Sequence, residues 1–151
     1  MPKGAEKFIQ KIAREAGEAV MKRFGKDGVH YMKSKRAWDS VTKADLLSER
    51  IIMAGIRKHY PDHGIISEES GITKGTSDYA WIIDPIDGTM YFADGIPLFA
   101  VLIALSHKKK IILGAKYLFI NDTTLCHEPD LQPYLRKKIG TYKNINVYSL
   151  Q

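Results

Sequence analysis

Two short apolar runs in this chain each end in carboxylates, and that pairing constrains the fold more than any other feature. The stretch Trp81-Ile82-Ile83-Asp84-Pro85-Ile86-Asp87-Gly88-Thr89 reads as a buried strand over Ala80 to Asp84, after which Pro85 turns the backbone. Three-residue spacing across the turn can bring Asp87 round beside Asp84. A second run, Gly64 to Ser67, leads directly into Glu68 and Glu69. Like charges this close repel unless a cation or a shared proton compensates, and hard oxygen donors favour magnesium, manganese or calcium. Gly88 permits a close backbone approach, and Thr89 offers a hydroxyl and an amide where a helical turn can begin, a natural phosphate seat. Taken alone, Asp-Pro-Ile-Asp-Gly-Thr reads equally well as a plain turn, since Pro, Asp and Gly are ordinary turn formers. The second acidic pair tips the balance, because two strand tips ending in acids can supply a bridging set of three or four carboxylates, with Asp45 behind them.

The rest of the chain supplies a scaffold for such tips. Apolar residues at Phe8, Ile9, Ile12, Ala13, Ala16, Ala19, Val20 and Phe24 fall on one helical face, and Gly25 and Gly28 end that helix. A Lys-rich loop is expected up to Ser40. A second helix starts near Thr42, with Asp45 in its first turn where a carboxylate suits the dipole, and stops by Tyr60 because Pro61 follows. Gly71 to Asp78 has the composition of a surface loop, and Leu98 to Leu105 and Ile111 to Phe119 read as strands joined by a basic hairpin turn, His107 to Lys110. After Asn121 the pattern weakens, leaving a last strand around Ile145 to Tyr148. Helices followed by strands predict an α+β protein, with two N-terminal helices packed on a mainly antiparallel sheet, rather than alternating βαβ units.

Composition narrows the partners. The 151 residues, 44% of them hydrophobic, suit one compact domain over 1–151. The net charge of +6 is spread over scattered clusters (Lys22, Arg23 and Lys26; Lys33, Lys35 and Arg36; Lys108 to Lys110; Arg136 to Lys138), which fits solvated faces and no nucleic-acid partner. Cys126 is the only cysteine, which excludes an internal disulfide and a cysteine-rich zinc site and points to a reducing, cytoplasmic setting. The longest apolar run, Pro97 to Leu105, is too short to cross a bilayer, so no membrane partner is expected.

Three stretches carry a specific resemblance: Asp39-Ser-Val-Thr-Lys-Ala-Asp45, the run Tyr60-Pro-Asp-His-Gly-Ile-Ile-Ser-Glu-Glu-Ser70, and Trp81 to Thr89 with its continuation Gly95-Ile-Pro-Leu-Phe-Ala-Val101. In these the chain resembles the inositol monophosphatase family of lithium-sensitive, magnesium-dependent sugar phosphatases, whose fold is αβαβα. The resemblance implies two or three magnesium ions in the complete site. Glu68, Asp84 and the Ile86 carbonyl would hold the first, and Asp84 and Asp87 would contribute to the second. Asp87 and the Gly88 and Thr89 amides would bind the phosphate of a small phosphorylated substrate, inositol monophosphate or a related sugar phosphate. Thr89 Oγ1 and Glu68, backed by Asp45, would orient the attacking water, with Glu69 and Lys33 just behind the ligands. Tyr91 stands where the family commonly has Asn, and Asp94 where it is often basic or His. The match fades after about Tyr117. Glu128 and Asp130 lack the surroundings of the family's further metal-ligand aspartate, so the C-terminal domain is expected to be absent, the chain alone weakly active or inactive, and its partner a second copy or the missing half.

Overall fold

The computed structural model describes residues 1–34, 40–118 and 123–127, the last of these as backbone only. Helix α1 runs over Ala5–Met21 and buries Ala5, Ile9, Ile12, Ala13, Ala16, Gly17 and Val20, the face its periodicity predicts. It ends at Met21, three residues short of Phe24, whose ring instead packs 5.2 Å from that of Phe99. The Lys-rich loop expected up to Ser40 contains a short strand, β1 (Val29–Met32), which pairs antiparallel with β2 (Ser40–Thr42) at its end. No periodic pattern marks them, because their pairing is set by non-local contacts. Helix α2 spans Lys43–His59 with Thr42 as its N-cap.

The remaining strands are β3 (Gly64–Ser67), β4 (Gly71–Thr73), β5 (Tyr79–Asp87), β6 (Ala100–His107), β7 (Lys110–Leu118) and β8 (Thr123–His127), with the short helix α3 (Thr89–Ala93) between β5 and β6. They form a sheet in the order β4-β3-β5-β6-β7-β8, in which only β3 and β5 run parallel. The mainly antiparallel sheet under two helices is as expected. Two strands go beyond the sequence reading: β4 lies inside the anticipated surface loop, and β8 follows the point where the pattern weakens. The strand expected at Ile145 to Tyr148 lies outside the described residues. Lys108 and Lys109 both take positive φ at the basic hairpin turn, the geometry a tight two-residue connection needs.

One face of the sheet carries Ile65, Trp81, Ile83, Val101, Ile103, Leu105, Leu113, Ala115 and Tyr117 against α1 and α2. At Gly17 an added Cβ would lie 2.2 Å from the Tyr117 ring, so the absence of a side chain lets α1 settle on β7. A smaller cluster of Val20, Ala44, Ile86, Phe92 and Phe99 anchors the far end of β5 and α3. Among the described residues no helix is long and apolar enough to cross a membrane.

Near the start of β5, His63 stacks between Tyr60 and Tyr79, with ring centroids 5.0 and 4.9 Å away. The Trp81 indole N–H donates to His63 Nδ1 at 3.0 Å, and because an indole nitrogen can only donate, that ring nitrogen must be unprotonated. Burial holds the His63 pKa below its ordinary 6.5, against the opposing pull of Asp62. The folded state therefore binds fewer protons than the unfolded chain between the two pKa values. The stabilisation is complete above about pH 6.5 and is lost as pH falls through the folded pKa. We expect an NMR titration to place His63 below 6.5, and the loss of stability between pH 8 and pH 5 to shrink in His63→Phe. A midpoint above 6.5 would contradict this.

Candidate functional site

The site grows from the parallel pair β3–β5. Their register matches Ser67 with Ile83, and the Glu68 amide donates to the Ile83 carbonyl at 3.1 Å, which carries Glu68 alongside Asp84. The register thus brings these two acids level along the backbone. Asp84 is not, however, a strand terminus. β5 continues to Asp87 through a bulge, because Asp84 pairs with Leu102 and Asp87 with Ala100, leaving Pro85 and Ile86 opposite Val101 alone. A proline has no N–H to give the ladder, so an irregularity is the physical outcome. Ser48 Oγ donates to the Pro85 carbonyl at 2.9 Å and holds the bulge from α2.

Gly88 follows at φ 91, and a Cβ there would meet the Leu98 carbonyl oxygen at 2.7 Å. Only glycine satisfies both demands. It caps α3 and sets Thr89 facing α2. The Thr89 hydroxyl lies 3.0 Å from Asp45 Oδ1 and 2.9 Å from the Ile86 carbonyl oxygen. Asp45 is held in turn by the α2 N-terminus: its Oδ2 accepts from the Thr42 amide at 2.8 Å, while Thr42 Oγ1 accepts from the Ala44 and Asp45 amides. This is a reciprocal capping box, and Thr42-x-x-Asp45 was its signal in the sequence. Burial pushes the Asp45 carboxyl above its usual range, against the hydrogen bonds from Thr42 and Thr89 that favour its charge.

On the other side, Lys33 Nζ lies 2.9 Å from Glu69 Oε1 and 3.3 Å from Glu68 Oε1. Burial pushes the Glu69 carboxyl up to about 7, although Lys33 pulls it down, with the charges of Glu68 and Asp45 adding to the rise. Burial disfavours the Lys33 ammonium, but the Glu69 hydrogen bond and the two nearby negative charges more than offset that and raise its pKa. Asp45, Glu68, Glu69, Lys33 and Thr89 thus share one neighbourhood, and the strand register sets the Asp84 backbone level with Glu68. Asp87 closes the bulge at the end of β5.

The bridging set of carboxylates has a different form from the one expected. Among the described residues no three His, Cys, Asp or Glu side chains are already gathered around one point as a metal cage. Glu68 and Glu69 are instead gathered by the Lys33 ammonium, which contacts both.

Glu49 was missed by the sequence reading. It is buried on α2, and its Oε1 accepts from Ser67 Oγ, from the Ser70 amide at 2.9 Å and from Ser70 Oγ at 2.8 Å. It therefore clamps both ends of the segment bearing Glu68 and Glu69. The signal was present: Asp45, Ser48, Glu49 and Ile52 follow helical one-face spacing, so the polar residues continue the buried stripe of α2 and must face partners inside.

Fold and site together define the N-terminal part of an α+β fold of the sugar-phosphatase type. A sequence profile described as the inositol monophosphatase family matches residues 3–129, and the chain belongs to that family. It is 41% identical over 104 residues to the Nus factor SuhB of Pseudomonas aeruginosa, covering 67% of this chain and 38% of that protein. It is 40% identical over 111 residues to the fructose-1,6-bisphosphatase/inositol-1-monophosphatase of Aquifex aeolicus, covering 73% of this chain and 42% of the relative. The crystal structure of the extragenic suppressor protein suhB from Bartonella henselae superposes with a TM-score of 0.77 at 33% identity, over 85% of this chain and 50% of that one. The chain thus spans about two fifths of the length of these curated relatives.

Proposed function

We propose that this chain carries the metal-binding and phosphate-binding part of a magnesium-dependent hydrolase acting on a small phosphate monoester, an inositol phosphate or a related sugar phosphate. One observation carries the reading: the β3–β5 register brings the Glu68 backbone level with Asp84, while Asp45 holds the Thr89 hydroxyl just beyond the bulge in the same strand. The residues fit a hard divalent cation in kind and in charge. They are oxygen donors, one buried carboxylate oxygen, Glu69 Oε2, has no hydrogen-bond partner among the described residues, and an ammonium already stands in as counter-charge. Glu68, Asp84, Asp87 and the Ile86 carbonyl would hold the ions. When bound, these would supply Lewis acidity toward phosphoryl oxygens and a more acidic water.

The chain's own residues do the positioning. Gly88 leaves room for an anion to approach the backbone, and the Gly88 and Thr89 amides would receive the phosphate with Asp87 beside it. Asp45, itself locked by the helix cap, accepts from Thr89 Oγ1 and would fix that hydroxyl for its role in orienting the water. Glu68 would share the orientation of the attacking water with Thr89. A cytoplasmic setting accords with the single cysteine.

The test is phosphate release from inositol and sugar phosphates at saturating magnesium, by this chain alone and by a form extended with the segment its relatives carry beyond the match. Release that a chelator removes is the expected result. Silence from both forms on every substrate would end the hydrolytic reading. A second reading is a non-catalytic module that keeps the metal-site residues and binds a partner; the Pseudomonas aeruginosa relative is named a Nus factor rather than a phosphatase. Cation uptake without turnover would support that reading.

A further inference from the structure

We propose that Lys33 is a tethered counter-ion that competes with the divalent cation for the Glu68 carboxylate and thereby sets the affinity of the site. This inference rests on the metal-binding reading above and goes beyond it. Lys33 comes from a point 35 residues before Glu68 in sequence, yet its ammonium reaches Glu69 at 2.9 Å and Glu68 at 3.3 Å. The Glu69 side chain is only 3% exposed, whereas those of Lys33 and Glu68 keep 27% and 21%. A carboxylate as enclosed as Glu69 is costly without a positive partner, so the lysine is more than an ornamental surface pair.

A single positive charge neutralises two carboxylates only in part. A divalent cation bound through Glu68 would neutralise them more fully, and its charge would oppose an ammonium 3.3 Å from the same carboxylate. The two positive charges repel across this carboxylate. The longer contact, to Glu68, is the one to give way, and Glu69 keeps the ammonium. The arm that bears Lys33 offers little resistance, since all four residues of β1 are exposed and the strand is held by its pairing with β2. Lys33 therefore stabilises the metal-free protein and lowers its apparent affinity for the ion by competition.

The test uses manganese as the probe, with calorimetric titration of the chain and of Lys33→Met and Lys33→Arg. Lys33→Met should bind Mn2+ at least tenfold more tightly than the unsubstituted chain, and its metal-free melting temperature should fall while saturating Mn2+ restores it by a larger increment. Lys33→Arg should retain the original affinity. Equal or weaker binding in Lys33→Met overturns the competition while leaving the metal site intact. Failure of every form to take up Mn2+ overturns both. In case Lys33→Met does not fold, acylation of the unsubstituted chain followed by peptide mass spectrometry gives an independent measure. Mn2+ should speed modification of Lys33 several-fold relative to Lys110, and an unchanged ratio overturns the proposal.

Discussion

Asp84→Asn should bind divalent cations at least about 100-fold more weakly while the metal-free protein keeps or gains stability. Loss of a group that merely supports a metal ligand costs about 10–100-fold in affinity, so loss of a ligand itself should cost no less. The substitution keeps the shape of the side chain, which is buried at 8% exposure, and leaves the pairing with Leu102 untouched. It also removes one of two negative charges brought together by the β3–β5 register, and relief of that repulsion favours the folded state. The opposite signs make the result diagnostic. A carboxylate kept only for structure would lose stability as Asn and leave Mn2+ uptake unchanged. Calorimetric titration paired with thermal unfolding, with and without the ion, reads both quantities. Wherever the parent form releases phosphate, turnover should fall with the affinity. An Asp84→Asn protein that binds Mn2+ as its parent does would remove Asp84 from the site.

The largest effect on stability is expected from Trp81→Ala, at about 3–5 kcal/mol. Trp81 is fully buried, and its ring packs 5.3 Å from both Phe8 and Tyr60 by centroid, tying α1 and the end of α2 to the strand that leads to Asp84. Truncation removes the aromatic surface, leaves a cavity between helices and sheet, and strips His63 Nδ1 of its donor. Against a typical domain stability of about 5–15 kcal/mol, that loss is a substantial fraction of the whole. Trp81→Phe keeps most of the volume and loses the N–H, so it should cost about 1–2 kcal/mol. Denaturant unfolding measures both, and a Trp81→Ala protein within 1 kcal/mol of its parent would show that this layer is not where helices and sheet are joined.

Much of this site was legible from local pattern. A strong apolar periodicity makes α1 helical in almost any context, and Asp45 just after Thr42 marks the start of α2 because a carboxylate in the first turn suits the helix dipole. Gly88 next to Asp87 is informative for the same reason: a backbone that must take positive φ declares itself in one residue. Where prediction stopped short, partners lay far away. The sequence puts a turn at Pro85, but whether the chain turns or bulges depends on β6 lying alongside to resume pairing at Ala100. Glu49 is an ordinary surface acid until Ser67 and Ser70 are folded against it.

Local chemistry thus determined which segments are helix or strand and which side chains are acids able to meet a cation. Tertiary structure alone decided that the Glu68 backbone comes level with Asp84, that Asp45 reaches Thr89, and that Lys33 answers the two glutamates. Those neighbours are 16, 44 and 35 or more residues apart in sequence, so nothing in the short-range periodicity encodes them. Packing and strand register bring them together, and they persist because burying an acid without a partner costs more than the chain entropy lost in closing the loops between them.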